Sequence, residues 1–361
     1  MDHSTTFGST IYARRRLAGL SAAALLLPAL GARAQAPPAM TDHLRRLYDA
    51  ARSRNEQVTW YTSHYNSETA EQLGRAFEAD FPGMKANVVR TTAQVAFQRL
   101  SQDMRARVQN CDVFSSTDFG HYTQLKADGR FEKYSPENLA HVIPALRGID
   151  PDGFYHTTST GTVLINYNTT RVPPEEAPKR WTDLLDPKWA NRVTIGHPSF
   201  SGYVGNWVVM MRKLYGWDYF KRLERNKPQI GRSINDTVTM LNSGERWVGA
   251  GPGATTLRSA SRGNPLAIQY PEDGTLLMIA TTAIMKGSRN PNAAKLFVEF
   301  LLSKRSCEIQ VENYSEIVRS DVPTFPGGRD LSTVTLIQPT VEEIEKGIPE
   351  VKELWRDTFG V

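Results

Sequence analysis

Cysteine is almost absent: only Cys111 and Cys307 occur among 361 residues. That scarcity excludes a disulfide-framed fold, and no Cys/His cluster has the spacing of a zinc site. One bridge tying a central strand to a late helix, and two buried free thiols, are both compatible with the sequence. No run of five like charges occurs, so nothing calls for nucleic acid or a membrane surface as partner. Internal repeats and low-complexity linkers are also lacking. Pro173-Pro174 and Pro326-Gly327-Gly328 read as surface turns.

The N-terminus carries Ala13-Arg14-Arg15-Arg16-Leu17, an apolar run from Leu20 to Leu30, and the small-residue stretch Ala32-Arg33-Ala34-Gln35-Ala36. The run is shorter than the ~20 apolar residues of a membrane span. This is the pattern of a cleaved export signal over residues 1–34, with arginines that suit the twin-arginine route, and it predicts a periplasmic location. Cleavage is expected after Ala34, since cleavage after Ala36 leaves Pro37 at the new terminus. Loss of residues 1–34 removes four arginines and one aspartate, which takes the formal charge from +5 to +2. The remaining length suits about two domains.

From Gln57 onward, short apolar strands alternate with amphipathic helices, the pattern of a sheet covered on both faces. Val58 to Tyr61, Asn87 to Arg90 and Asp112 to Phe114 read as strands. Ser67 to Phe81 reads as a helix capped by Asn66 or Ser67, with Leu73, Phe77 and Phe81 on one face, and a second helix runs through Val95, Phe97, Leu100 and Met104. Each strand ends in hydroxyls: Thr62-Ser63, Thr91-Thr92 and Ser115-Ser116-Thr117. Ligands of open α/β sheets bind beyond such strand ends.

The extended run Thr162 to Asn168 opens a second series: a strand Arg192 to Ile195, a long helix Gly202 to Arg225, a helix Ile234 to Leu241, a strand Arg246 to Gly249, a helix from Ala254 and a strand Leu266 to Tyr270. A further extended run, Leu276 to Met285, leads back to a helix at Pro291. The expected architecture is therefore α/β, with two lobes joined by a two-crossing hinge: residues 41–155 plus 279–361, and residues 156–278. Such a hinge closes like a jaw. The terminal run Glu342 to Glu353 reads as a solvated helix face. Trp207, Trp217 and Trp247 read as core, and Arg232 and Arg258 as surface residues.

The segments Val58 to Ser63, Pro82-Gly83-Met84-Lys85, Asp112-Val113-Phe114, Trp181 to Trp189 and Asn292 to Leu301 resemble the ferric-ion-binding family of type II periplasmic proteins, over nearly the whole chain beyond the signal. The resemblance implies the substrate-binding component of a bacterial ABC importer, delivering its ligand to an inner-membrane permease as a monomer. Relatives take ferric iron, phosphonates, sugar phosphates, thiamine or other solutes. His64-Tyr65-Asn66 is similar to the His-Tyr-Asn stretch of cyanobacterial ferric-binding members, and Tyr203 matches a further tyrosine ligand. The adjacent tyrosine pair of the iron binders is replaced by Gly251-Pro252-Gly253-Ala254, and a glutamate used by some members aligns with Thr117. His64, Tyr65 and Tyr203 alone supply too few hard anionic donors for ferric ion, so no metal site is favoured.

An anion fits the remaining residues better. Ser201-Gly202 matches the pair that holds the accompanying oxyanion in iron binders, and Asn235 matches an anion-contacting asparagine. Gly251, Gly253 and Thr255 mark another helix start, where open N–H groups and the helix dipole favour negative charge. Arg90, at a strand end, is the leading cation for an ion pair. Ser63, His64, Tyr65, Thr91, Ser116 and Thr117 complete the candidate set, although His64 equally suits a solvated loop and the Ser115–Thr117 hydroxyls equally suit helix capping.

The run Val248 to Ala254, with Asp273 downstream, imitates a dinucleotide fingerprint but lacks the hydrophobic strand and the glycine spacing of one. No nucleophile elbow or paired-carboxylate motif is present, so neither turnover nor a cofactor is expected. The expected function is capture of a small oxyanion-bearing solute such as a phosphonate, organic phosphate or carboxylate. Ferric iron on His64, Tyr65 and Tyr203 and a ligand-sensing role beside a membrane receptor are the alternatives.

Overall fold

The computed structural model describes residues 40–326 and 328–361. The expected export signal and its cleavage site, and Gly327 in the expected turn, lie outside the described residues. The chain runs α1 (Asp42–Ser53), β1 (Val58–Thr62), α2 (Ser67–Asp80), β2 (Ala86–Arg90), α3 (Ala93–Arg105), β3 (Val113–Ser116), α4 (Phe119–Ala127) and the short β4 (Phe131–Glu132). α2 starts where its cap dictates: Asn66 stays extended and its side-chain oxygen accepts from the Thr69 amide at 2.8 Å, satisfying a first-turn donor that would otherwise stay open. Leu73 and Phe77 on its inner face are fully buried, with the Phe77 ring edge-on to Phe297 at 5.0 Å between centroids.

The second series holds β5 (Tyr155–Asn168), β6 (Val193–Gly196), α5 (Gly202–Tyr215), α6 (Asp218–Arg225), β7 (Gln229–Gly231), α7 (Asp236–Asn242), β8 (Val248–Pro252), α8 (Gly253–Ser261) and β9 (Leu266–Gln269). The chain then returns through β10 (Thr275–Met285) to α9 (Pro291–Leu301), α10 (Lys304–Glu312), β11 (Leu336–Ile337) and α11 (Val341–Phe359). Three sequence expectations are corrected here. The single helix Gly202 to Arg225 is two helices, because Gly216 at φ 72° and ψ 176° takes a backbone that is essentially glycine's alone, and its amide bonds Arg212 O at 2.8 Å. The expected Arg246 to Gly249 strand lies further along, at Val248–Pro252, so Gly251 is a strand residue paired with Leu164. The terminal helix is amphipathic rather than only solvated: Ile344, Ile348, Val351 and Trp355 are buried, and α11 packs on α5, α4 and α6.

One twisted sheet organises everything, in the order β2-β1-β3-β10-β5-β8-β6-β7. Parallel pairing holds β2, β1 and β3 together, and also β8, β6 and β7. Between these clusters stand the two longest strands, β5 and β10, antiparallel to each other and buried along their whole length. β5 carries the chain from the first cluster to the second and β10 brings it back. Their register shifts between Ala280 and Thr281: Ala280 pairs with Ser159 and Thr281 with Thr157, which leaves Thr158 as the inserted residue. A buried hydroxyl chain pins the insertion. Trp60 Nε1 donates to Ser115 Oγ at 2.7 Å, Ser115 Oγ meets Thr282 Oγ1 at 2.7 Å, and Thr282 Oγ1 meets Thr158 Oγ1 at 2.6 Å.

Of the two readings of the cysteine pair, the free thiols are the one found. Cys111 and Cys307 are both free and only 2% exposed, in separate hydrophobic clusters. Of the expected core tryptophans Trp207 is fully enclosed, whereas Trp217 and Trp247 are half-buried. The break after α5 yields a direct prediction. Gly216→Ala meets no neighbouring atom but must hold φ 72°, so it should cost about 1–2 kcal/mol, read as a lower urea midpoint at unchanged slope.

Candidate functional site

An enclosed cavity lies beyond the carboxyl ends of β1, β2 and β3. Its first wall carries Ser63, His64, Tyr65, Asn66, Thr69, Arg90, Thr92, Ala93 and Thr117. The facing wall holds Ser201, Gly202 and Tyr203 at the start of α5, Ser233, Ile234 and Asn235 before α7, and Pro252, Ala254 and Thr255 where β8 turns into α8. Ser159, Thr160, Gly161 and Thr162 of β5 form the floor, with Asn313 and Ser315 beside them. Among the described residues, Arg90 is the one formally charged group in this lining, and no carboxylate or lysine accompanies it.

Arg90 ends β2, and its Nε donates to Tyr65 O at 2.7 Å. Its terminal nitrogens have no hydrogen-bond partner among the described residues, which leaves the outer edge of the guanidinium open. Burial lowers its pKa, against the opposing pull of Asp236 and Tyr203, but an arginine so placed stays charged. His64 is 8% exposed, and neither ring nitrogen has a hydrogen-bond partner among the described residues. Burial, with the Arg90 charge adding to it, pulls its pKa to about 3. The imidazole is therefore neutral near pH 7, one nitrogen donating and the other accepting. Burial also pushes the phenols of Tyr65 and Tyr203 well up, so both remain protonated donors.

Backbone geometry fixes the rest. A Cβ on Gly161 would stand 2.8 Å from the Tyr203 hydroxyl, and one on Gly202 would stand 2.4 Å from Thr117 Oγ1. These two glycines therefore allow the α5 start to lie against the floor and the first wall. Asn206 reinforces that approach, its Nδ2 donating to Thr117 O at 3.0 Å and Gly202 O at 2.7 Å. The Gly202 and Tyr203 amides have no acceptor among the described residues, as befits an open first turn. Asn235 Oδ1 accepts from Thr255 Oγ1 at 3.0 Å, which joins the α7 and α8 sides of the wall.

Ten candidates share this cavity: Ser63, His64, Tyr65, Arg90, Thr117, Ser201, Gly202, Tyr203, Asn235 and Thr255. Four others do not line it. Thr91 continues the β1–β2 ladder through its amide, bonded to Thr62 O at 3.0 Å. Ser116 faces inward to His121. Gly251 and Gly253 serve packing, since a Cβ would meet Asn166 Nδ2 or Thr162 Oγ1 at 2.5 Å. The α7 start is also closed to an anion, because Ser233 N bonds the Asp236 carboxylate at 2.9 Å and Asn235 N bonds Ser233 Oγ at 3.2 Å. Residues that the candidate set missed include the β5 floor, Asn313, Ser315 and Thr92, whose buried hydroxyl has no partner among the described residues. Arg258, expected at the surface, has a side chain only 13% exposed; Arg232 is exposed as expected.

A serine–histidine–aspartate group lies behind the first wall, but its serine is buried. Ser116 Oγ meets His121 Nδ1 at 2.9 Å, His121 Nε2 meets Gln94 Oε1 at 2.6 Å and stands 3.4 Å from Asp118. Ser116 is 1% exposed and His121 stacks flat on Phe97 at 4.1 Å. The cluster anchors the start of α4 and offers no attacking atom to a substrate.

A model of the family described as bacterial extracellular solute-binding protein matches residues 109–326. The chain is similar to Iron uptake protein A1 of Synechocystis sp., 25% identical over 287 residues that cover 74% of this chain and 77% of that protein. Among solved structures it is similar to the periplasmic binding protein AfuA from Actinobacillus pleuropneumoniae, crystallised with fructose-6-phosphate, with TM-score 0.76 and 25% identity over 84% of this chain and 99% of that one. Iron-bound HitA from Pseudomonas aeruginosa shares the fold, with TM-score 0.72 and 21% identity over 84% and 99%. These neighbours are type II periplasmic binding proteins, so the fold is the two-lobed one expected from the sequence.

Behind the floor, Thr162 donates to the carboxyl of Glu316 at 3.4 Å, and burial raises that group's pKa to about 7. The unfolded carboxyl ionises near 4.5, so folding retains a proton between these values and stability falls as pH rises through that window. His64 acts oppositely, withdrawing stability as pH falls from 6.5 towards about 3. Glu316→Gln should therefore exceed the parent in stability at pH 8, by on the order of 3 kcal/mol, and lose that advantage below about pH 4.5, as measured by denaturant unfolding across pH.

Proposed function

The chain belongs to the bacterial extracellular solute-binding protein family, and on that premise we propose that it captures a small oxyanion-bearing solute in the periplasm for an inner-membrane ABC permease. A phosphonate, an organic phosphate or a carboxylate has the required chemistry. The observation that carries this reading is the charge pattern of the cavity: Arg90 with an open guanidinium edge, and no carboxylate among the described residues of the lining. An anion placed there gains a charge-assisted hydrogen bond and meets no like charge. The open amides at the start of α5 add positive partial charge from the opposite wall.

The remaining lining is rich in hydroxyls and amides, and it includes the neutral His64. Such a wall suits a solute that carries hydroxyl or amino groups beside its anionic end. AfuA, with its bound fructose-6-phosphate, belongs to that class. Because contacts come from both walls, the ligand favours the closed arrangement over the open one and shifts the population towards it. The role is binding and delivery without turnover.

Ferric iron is the second reading, favoured by the meeting of His64, Tyr65 and Tyr203 in one cavity and by the likeness to Iron uptake protein A1. One feature opposes it: the Arg90 guanidinium repels a trivalent cation in a lining that, among the described residues, holds no carboxylate. Titration of the protein with ferric citrate should therefore give no tyrosinate-to-iron charge-transfer band; a band lost in Tyr203→Phe would reverse the order of the two readings. Fructose 6-phosphate, followed by calorimetry, should bind the parent and bind Arg90→Ala more weakly by about 1.5–3 kcal/mol. Equal affinity in the two proteins would remove Arg90 from the site.

A further inference from the structure

Arg258 ties the two sides of the cleft together at the cavity's rim. It projects from α8, yet its guanidinium is held by residues of the opposite side. One terminal nitrogen donates to Thr69 Oγ1 of α2 at 2.9 Å and to Asn313 Oδ1 after α10, while the other pairs with Glu68 of α2. Arg262, the residue that caps the end of α8, meets the same Glu68 oxygen at 2.6 Å. The orientation of Asn313 is fixed by two bonds of its own. Its Nδ2 donates to Ile309 O at 2.7 Å and to Gln72 Oε1 at 3.0 Å, which leaves Oδ1 facing the arginine. Thr69 and Asn313 both line the cavity. The opposite rim is joined without charge, through Gln94 N to Phe200 O at 3.3 Å and Asn206 Nδ2 to Thr117 O.

We propose that Arg258 is a latch across the mouth of the cleft, which closes on Glu68, Thr69 and Asn313 and governs how long a bound solute stays, without itself contacting the solute. The inference rests on the reading of this cavity as the solute site. Its physical basis is the planar guanidinium, which presents several donors at once. An open cleft separates α8 from α2 and leaves those donors to water. Closure replaces water with one half-exposed carboxylate and two neutral oxygens around a guanidinium whose side chain is only 13% exposed, so the two neutral bonds persist where salt screens the carboxylate. Such a contact forms after encounter, so it slows departure and leaves arrival unchanged.

The test has a ligand-free arm and a ligand arm. Spin labels at Arg75→Cys on α2 and Ser261→Cys on α8, both outside the cavity lining, report the rim distance in the full chain, since Cys111 and Cys307 are buried from the label. Arg258→Ala and Glu68→Ala should each shift the distance distribution to longer values, and the double variant, which also removes the Arg262–Glu68 pair, should shift it at least as far as either. In stopped-flow measurements with fructose 6-phosphate, Arg258→Ala should speed dissociation about tenfold with association unchanged within about twofold, and Arg258→Lys should fall between. An unchanged rim distance in both single variants, or an unchanged dissociation rate in Arg258→Ala, overturns the latch. If fructose 6-phosphate fails to bind the parent, the ligand reading fails, and the distance arm alone decides the latch.

Discussion

The pairing of β5 with β10 is the constraint from which the rest of the molecule follows. These strands are the route out of the first parallel cluster and the route back, so the position of one wall relative to the other is set where they lie side by side. At that place the ladder carries an extra residue, Thr158, and a chain of buried hydroxyls from Trp60 through Ser115 and Thr282 holds it. Loss of the Ser115 hydroxyl would strand Trp60 Nε1, and loss of the Thr282 hydroxyl would strand Thr158 Oγ1, each at about 1–3 kcal/mol. The floor of the cavity, Ser159 to Thr162, begins at the residue after the insertion. A shift of register here would alter both which hydroxyls face the cavity and how the walls meet.

Much of this was legible in the sequence, and the parts that were not share a physical reason. The polar ends of β1 and β3 announced Ser63 and Thr117, because a sheet with covered faces leaves its strand ends as the open edge. The α5 start announced Ser201 and Gly202 through their likeness to a known anion-holding pair, and Tyr203 through its likeness to a tyrosine ligand of the iron binders. Gly251 and Gly253 misled because glycine before a helix has two meanings: close approach to a ligand, or close approach of two strands. Asn166 and Thr162 occupy the space that a side chain would fill. The floor residues were hidden in a run that read only as a crossing strand. Asn313 and Ser315 come from a return of the chain that no local pattern signals. Arg258 looked like an ordinary surface cation because its partners lie 189 and 55 positions away in sequence.

The cavity is polar without being highly charged. Arg90 supplies the net charge, while His64, Tyr65 and Tyr203 are kept neutral by the same burial that encloses them. Neutral donors and acceptors can be reassigned by rotating a hydroxyl or exchanging an imidazole tautomer, at little energetic cost. On the proposed reading, a lining of this kind recognises shape and hydrogen-bond pattern around an anionic group held by Arg90. That division of labour offers a physical basis for one family scaffold serving solutes as different as those of its relatives.

The burial of Cys111 and Cys307 has a consequence for life outside the cytoplasm. Each thiol is walled off in its own hydrophobic cluster, and burial raises the pKa of both. Thiolate, the form that attacks disulfides, is therefore scarce as well as inaccessible. A molecule built this way passes through an oxidising environment without acquiring mixed adducts or linking to a neighbour, and it needs no oxidoreductase to reach its working form.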